Sequence, residues 1–315
     1  MSKNIKLFLL IILISFPFWW GINVLEKNLE NFFYAKEIEK NPPSLFIAQI
    51  SQNYNLQDRN FENLEIEAKS GISVEIDSQG KEIVLFKKNE NEPMPIASLT
   101  KLMTAIVVLE FYDPELRVQI SKEAISQAEN NGELKMGEIL KVKDLLYIML
   151  IESSNDAAYA LTEIIGPEGF QDLMNLKAKD MGLNMTHFFN PTGLDPEDST
   201  EPTNYSTAQD LVKLVKYLLK EHPEILKILA EKEYPLRLEN GVLHHLLRNT
   251  NELLGEIPEI IGGKTGFTER AGGCLIEILK GRRAGTYLIN VILNSPARFE
   301  DMKKLIASYY GTLRD

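Results

Sequence analysis

The stretch "PIASLTKLMTAIVVLEF", Pro95 to Phe111, decides how the chain is read. It sets a hydroxyl, Ser98, three residues before an amine, Lys101, and then runs almost unbroken in apolar residues. Such a run is a strongly buried helix, since a helix apolar on every side belongs in a core. A lysine at its head is therefore out of place unless its ammonium is required there. Residues at i and i+3 share one helix face, so Ser98 and Lys101 lie within mutual reach. A serine hydroxyl is a weak nucleophile until a base takes its proton, and a desolvated lysine can serve because burial lowers its pKa. The plainer alternative makes Ser98 an N-cap and Lys101 a solvated first-turn residue.

Working outward, "ISVEIDSQGKEIVLFKKN" reads as two strands, Ile72–Ile76 and Glu82–Phe86, around a turn at Ser78–Gly80. "VKDLLYIMLIESSNDAAYALTEIIG" reads as two apolar helices broken near Ser153–Ser154. "STAQDLVKLVKYLLKEH" is amphipathic, with Leu211, Leu214, Val215 and Leu218 on one face and Ser206 or Thr207 as N-cap. After Ile260 strands return in "GGKTGF", "GGCLIEIL" and "GTYLINVIL", and a helix over Phe299–Tyr310 closes the chain. Strands at both ends with helices between them predict an α+β fold. One mainly antiparallel sheet is assembled from the two ends of the domain, with a helical lobe inserted and a ligand cleft between.

Ahead of this domain, residues 71–315, lie two segments of different character. Residues 1–25 carry Lys3 and Lys6 and then an uncharged run, Leu7–Leu25, with Trp19 and Trp20 near its end. That length spans a bilayer, and lysines before it with tryptophans at its edge fit a transmembrane anchor that leaves the folded domain outside the cytoplasm. A cleaved signal peptide is the competing reading, but no small-x-small site follows the run near Trp20–Asn23. Residues 26–70, charged and holding Pro42 and Pro43, read as a stalk.

Composition narrows the function. The 315 residues are 44% hydrophobic and 25% charged, an ordinary globular balance. A net charge of −11 is a poor match for nucleic acid, and that partner is excluded. The one cysteine, Cys274, rules out an intramolecular disulfide and reads as a core residue. The histidines are His187, His222, His244 and His245, with no H-E-x-x-H or H-x-H among them. The adjacent pair would point apart on any regular element, so no catalytic metal is expected.

Two more stretches carry chemistry. In "ESSNDAAYA", Ser153 and Asn155 sit in the break between the two apolar helices, where a hydroxyl and a carboxamide can relay protons or bind an amide, or simply cap a helix. In "GGKTGFTERAGG", Lys264, Thr265 and Gly266 begin a strand that can pair with an extended peptide, or form a plain hairpin edge.

S-x-x-K, S-x-N and K-T-G in this order form the motif set of penicillin-binding proteins and class A β-lactamases. The chain resembles one branch, the serine D-Ala-D-Ala carboxypeptidases or low-molecular-mass penicillin-binding proteins. "PIASLTKLMTA", "LLYIMLIESSNDAAYAL", "FFNPTGLD", "YSTAQDL", "RNTNELL" and "GGKTGFTERAGGCL" are similar to that family's segments, in its order, over about Gly71 to Ala307. The resemblance implies the penicillin-binding/β-lactamase-like transpeptidase fold, with Ser98 as nucleophile, Lys101 as its base, and Ser153 and Asn155 as the second motif. It further implies Lys264, Thr265 and Gly266 on the substrate-binding strand, and an oxyanion hole from the backbone N–H groups of Ser98 and Phe267. Arg298, in an "RF" context, would bind the substrate's terminal carboxylate. The implied partners are peptidoglycan stem peptides and β-lactam antibiotics, with no cofactor. Ser154 departs from the Gly or Ala usual at its position, and its side chain is expected to point away. A β-lactamase reading lacks a matching loop glutamate, since Glu197 and Glu201 fall in the "NPTGLD…YSTA" stretch. A non-enzymatic wall-binding protein is disfavoured by three intact motifs. A D,D-endopeptidase would use the same residues.

Overall fold

The computed structural model describes residue 61 and residues 64–129 and 131–311. The expected anchor and nearly all of the stalk lie outside the described residues, and among these no helix is long and apolar enough to cross a membrane. The folded part begins ahead of Gly71. Ile66 and Ala68 are buried, and the N–H groups of Glu67 and Ala68 donate to the Asp301 carboxylate at 2.9 and 2.8 Å.

The described residues give first β1 (Ser70–Ile76), β2 (Glu82–Lys88) and the short β3 (Met94–Pro95). A 3-10 turn, Ala97–Thr100, leads into α1 (Lys101–Phe111). The helical lobe follows: β4 (Arg117–Gln119), α2 (Lys122–Ile125), β5 (Ile139–Lys141), α3 (Val142–Ile151), α4 (Asn155–Thr162), α5 (Pro167–Asp180), β6 (Tyr205–Ser206), α6 (Ala208–Glu221) and α7 (Pro223–Leu229). The hairpin β7 (Glu233–Arg237) and β8 (Leu243–Arg248) comes next. The chain ends with β9 (Ile260–Thr268), β10 (Gly272–Lys280), β11 (Tyr287–Ser295) and α8 (Arg298–Gly311).

The main sheet has the order β2-β1-β11-β10-β9, antiparallel throughout, so its strands come from both ends of the domain as expected. The central strands β1, β10 and β11 are covered on both faces, which is why they read as near-continuous apolar runs. β2 is an edge, and its exposed Lys87 guards it against pairing with another chain. The opposite edge is β9, which carries the K-T-G motif.

The first eight residues of α1, Lys101 included, are all buried. Its apolar members, Leu102, Met103 and Ala105 to Val108, join the hydrophobic core with one face of the sheet (Ile72, Val74, Ile276, Val291) and the buried sides of α3 and α6. α6 is capped by Thr207, whose hydroxyl accepts from Asp210 N–H at 3.0 Å. α8 covers the other face, where the Tyr309 hydroxyl donates to Glu75 of β1 at 2.8 Å.

Two details differ from the reading of the sequence. Ser98 is not on the same α-helix as Lys101 and caps nothing; it sits in the 3-10 turn, with no side-chain cap bond at either helix start. The rings of His244 and His245 meet instead of pointing apart. Leu236 pairs with His245 but Arg237 pairs with Leu243, so His244 is an extra residue in the β8 ladder, and a bulge turns consecutive side chains to one side.

Candidate active site

Ser98 is placed by a tight turn held from two sides. Ala97, just before it, has φ +47°, a left-handed conformation that costs a non-glycine residue energy and that its surroundings must enforce. Gly193, at φ +85°, presses on the turn: a Cβ there would lie 2.0 Å from the Ala97 carbonyl oxygen. Gly266 of β9 closes the other side, where a Cβ would sit 3.1 Å from Ile96 O, Ala97 Cβ and Ser98 N. Any side chain at either glycine would push the Ser98 turn out of place.

Lys101 is fully buried, and its Nζ lies 2.8 Å from Ser98 Oγ, 2.7 Å from Asn155 Oδ1 and 2.7 Å from the Thr192 carbonyl oxygen. Burial pushes its pKa well below the ordinary lysine range, the nearby Lys264 charge pushes the same way, and Glu129 opposes. A neutral amine has two hydrogens and one lone pair. Two carbonyl-type acceptors and one hydroxyl donor match it in full, so neutral Lys101 can donate to Asn155 and Thr192 and accept from Ser98.

Asn155 opens α4 and is steadied by its own amide, which donates to Ala128 O at 2.9 Å. The preceding Ser154 caps that helix, accepting from Ala157 N–H at 3.1 Å and donating to Asn131 O at 2.5 Å. Its side chain thus turns away into the 128–132 loop, as expected. Ser153 stands in the break between helices with φ +60°. Its hydroxyl accepts from Lys264 Nζ at 2.8 Å, and Lys264 also donates to the Thr265 carbonyl at 3.0 Å. Lys264 is 1% exposed; burial first, and Arg298 second, bring its pKa down to about 7. The site is therefore two serine–lysine pairs, one from α1 and its turn, the other from the helix break and β9.

The remaining expected residues lie along β9. Thr265 Oγ1 meets Thr250 Oγ1 at 2.5 Å. Phe267 is 59% exposed, a large apolar side chain left at the mouth of the site. Arg298 begins α8 and donates to Gly266 O at 2.8 Å, its guanidinium resting on the Phe299 ring. The Asp301 carboxylate, three residues on, is engaged elsewhere, holding Glu67 and Ala68 N–H and the Ser295 hydroxyl. A cleft of about 740 Å³ runs beside β9, lined by Phe267, Arg298, Glu252, Arg270 and neighbours. None of Ser98, Lys101, Ser153 or Lys264 lines it, so the cleft joins the chemistry only through β9. Cys274 is buried, with its thiol pushed up to about 11, a packed residue behind the strand.

Sequence reasoning missed Thr192, Gly193 and Thr250. The first acts through a backbone carbonyl, which no residue type advertises. Asn190 is the visible clue: its Oδ1 gathers Thr192 N–H, Thr192 Oγ1 and Gly193 N–H and so curls the loop that presents that carbonyl.

The model of the D-alanyl-D-alanine carboxypeptidase family Peptidase S11 matches residues 57–297. The chain is 40% identical over 221 residues to the D-alanyl-D-alanine carboxypeptidase DacF of Bacillus subtilis, covering 68% of this chain and 54% of that relative. It thus spans about half the length of that protein. To a D-alanyl-D-alanine endopeptidase of Escherichia coli it is 35% identical over 223 residues, 67% of each. Among solved structures, a penicillin-binding protein homologue from Mycobacterium tuberculosis superposes with TM-score 0.70 at 27% identity, over 79% of this chain and 93% of that one. A penicillin-binding protein of Listeria monocytogenes in its cefotaxime-bound form gives 0.67 at 30%, over 79% and 99%. The fold is therefore the penicillin-binding-protein fold, α+β with an antiparallel sheet, and the chain belongs to the Peptidase S11 family of D-alanyl-D-alanine carboxypeptidases.

Proposed function

We propose that the protein is a serine D-Ala-D-Ala carboxypeptidase that removes the terminal D-alanine of peptidoglycan stem peptides and is acylated by penicillins. The observation that carries this is the buried Lys101 amine 2.8 Å from Ser98 Oγ, with its two other contacts on acceptors. Ser98 attacks the carbonyl of the penultimate residue while Lys101 takes its proton. The C–N bond breaks, the terminal D-alanine leaves with a proton on its nitrogen, and an ester remains on Ser98. Water then hydrolyses that ester, so one difficult amide cleavage becomes two easier steps. Ser153 and Lys264 form the second hydroxyl–amine pair, suited to passing the proton to the leaving nitrogen. Arg298 and Lys264 offer positive charge for the terminal carboxylate, and guanidinium can grip both of its oxygens.

A fluorescent penicillin is the first test: it should label the wild type and not Ser98→Ala. Mass analysis of digests then separates two activities. Loss of D-alanine from monomeric stems supports the carboxypeptidase. Cleavage of crosslinked dimers without that loss supports the endopeptidase, a reading favoured by the 35% identity to a relative of that name. The uncharged run Leu7–Leu25 supports a membrane tether with the catalytic domain on the outer side. Membrane fractionation together with the mass of the mature N-terminus tests it; a soluble chain beginning after about residue 20 would replace the tether with a cleaved leader.

A further inference from the structure

The His244–His245 pair belongs to no motif of the family set, yet it contacts Glu152, the residue before Ser153. Both side chains are 7% exposed. Their rings lie 4.7 Å apart, and the two Nδ1 atoms face each other at 2.5 Å. On the outer sides, His245 Nε2 is 2.9 Å from Glu152 Oε2, and His244 Nε2 is 2.9 Å from Glu138 Oε1. The result is one row, Glu138–His244–His245–Glu152, running from the loop before β5 through the β8 bulge to the end of α3.

Hydrogen counting restricts the state of this row. Each Nε2 faces a carboxylate and so carries a hydrogen. The Nδ1–Nδ1 contact needs one hydrogen: with none, two lone pairs face each other, and with two, N–H faces N–H. Three hydrogens on four ring nitrogens give the pair one positive charge, set between two carboxylates. The neighbouring groups leave this count unchanged. Glu152 Oε1 accepts the Arg248 backbone N–H at 3.3 Å, and the Arg248 side chain pairs with Glu233. Glu138 Oε2 accepts Lys135 N–H at 3.2 Å. The Tyr147 ring of α3 lies tilted against Tyr234 of β7, centroids 4.4 Å apart, and burial pushes the Tyr147 phenol up, so it stays protonated.

The row's far end matters because Ser153 is held in a left-handed conformation at φ +60°, which persists only where its surroundings over-determine it. Lys264 holds its side chain, and Glu152 holds the backbone just before it. We propose that the His244–His245 pair is a positioning element for Ser153, helping to pin Glu152 to β8 so that the Ser153 hydroxyl meets Lys264. This rests on the acyl-enzyme reading above.

The test is the rate of Ser98 acylation by a fluorescent penicillin in the wild type, His245→Ala and His245→Gln. A glutamine amide N–H reaches the place of Nε2–H, so it keeps the bond to Glu152 but takes no ring proton. His245→Ala should slow acylation by roughly tenfold. His245→Gln should recover most of that loss. A Gln variant as slow as Ala would overturn the proposal. Imidazole NMR of the wild type gives a reading free of any folding defect: one hydrogen shared by the two Nδ1 atoms is expected, and two independent singly protonated rings would overturn it. Stoichiometric uptake of added Zn²⁺ that His244→Ala abolishes would also overturn it, with a metal in place of the shared proton. An unlabelled wild type would sink the carboxypeptidase reading instead.

Discussion

The two faces of the main sheet bury charge in opposite ways. On the face toward the helical lobe, Lys101 and Lys264 are both nearly inaccessible, and between them they contact Ser98, Asn155, Thr192, Ser153 and Thr265. On the face under α8, Glu277 of β10 is also fully buried, opposite Asn290 of β11, which in turn lies opposite Ser73 of β1. There neither Glu277 oxygen makes a full hydrogen bond; Asn251 approaches the carboxyl but falls short of bonding geometry. A buried group aimed at partners has its proton affinity set for a task, whereas a buried acid without them simply stays protonated. The first arrangement is a site and the second a cost to stability, and the contrast can be broken from either side.

The largest effect should come from the lobe face. Ser98→Ala should abolish covalent penicillin labelling. Lys101→Ala keeps the hydroxyl but removes its base, and should slow acylation by about 10²–10⁴-fold. A Lys101→Ala enzyme that labels at the wild-type rate would remove Lys101 from the chemistry and leave it as a packing residue like Glu277.

Arg298 tests how far the site extends past the lysines. A charge-assisted hydrogen bond contributes about 1.5–3 kcal/mol, so Arg298→Ala should lower kcat/KM roughly ten- to a hundredfold on a peptide ending in free D-Ala-D-Ala. The loss should nearly vanish on the C-terminally amidated peptide. Equal losses on both would make its bond to Gly266 O a brace for β9 and nothing more.

Lys264 gives a pH signature. Its pKa of about 7 in the folded enzyme means the charge is present below that pH and lost above it. kcat/KM reports the free enzyme, so on the free-carboxylate peptide it should decline as pH rises through about 7. Protonation of Lys101, whose pKa burial pushes well below the ordinary lysine range, belongs to the acid limb. On the amidated peptide the alkaline decline should flatten. An alkaline limb of the same size on both peptides would show that the Lys264 charge serves the proton path through Ser153 and not the carboxylate.

Most of the lobe face was legible in the sequence. Ser98, Lys101, Ser153, Asn155 and Lys264 are residue types whose spacing carries chemistry, and the structure brings all five together. The sheet from both chain ends, the break at Ser153–Ser154 and the Thr207 cap followed from periodicity and capping. What escaped was whatever depends on tertiary contact. The Thr192 carbonyl has no sequence mark. The His244–His245 contact depends on a one-residue bulge, and a register shift reverses which side a strand residue faces. Glu277 sits in "CLIEIL", where a lone charge reads as a solvent-facing position of a strand. Only the arrival of α8 and the 251–257 segment over that face buries it.

The smallest effect, and the one that isolates the α8 face, concerns Glu277. Burial raises its carboxyl pKa well above the usual range, with Asn251 opposing weakly. A folded pKa above the unfolded value of about 4.5 means that folding takes up a proton. Its contribution is therefore most favourable below about pH 4.5 and is lost as pH rises toward the folded value. At pH 8 the unfolded chain gains by ionising Glu277 and the folded chain does not. Glutamine has the same shape, needs no proton and still faces Asn290 across the ladder. Glu277→Gln should therefore raise Tm at pH 8 by about 3–10 °C, since each kcal/mol shifts a domain of this size by roughly 2–4 °C. At pH 5 the gain should shrink to nearly nothing, and penicillin labelling should be unchanged at both. Differential scanning calorimetry at the two pH values decides it. A gain that does not grow with pH would mean Glu277 ionises in the fold after all, held by a partner, and the two faces would then bury charge by the same rule.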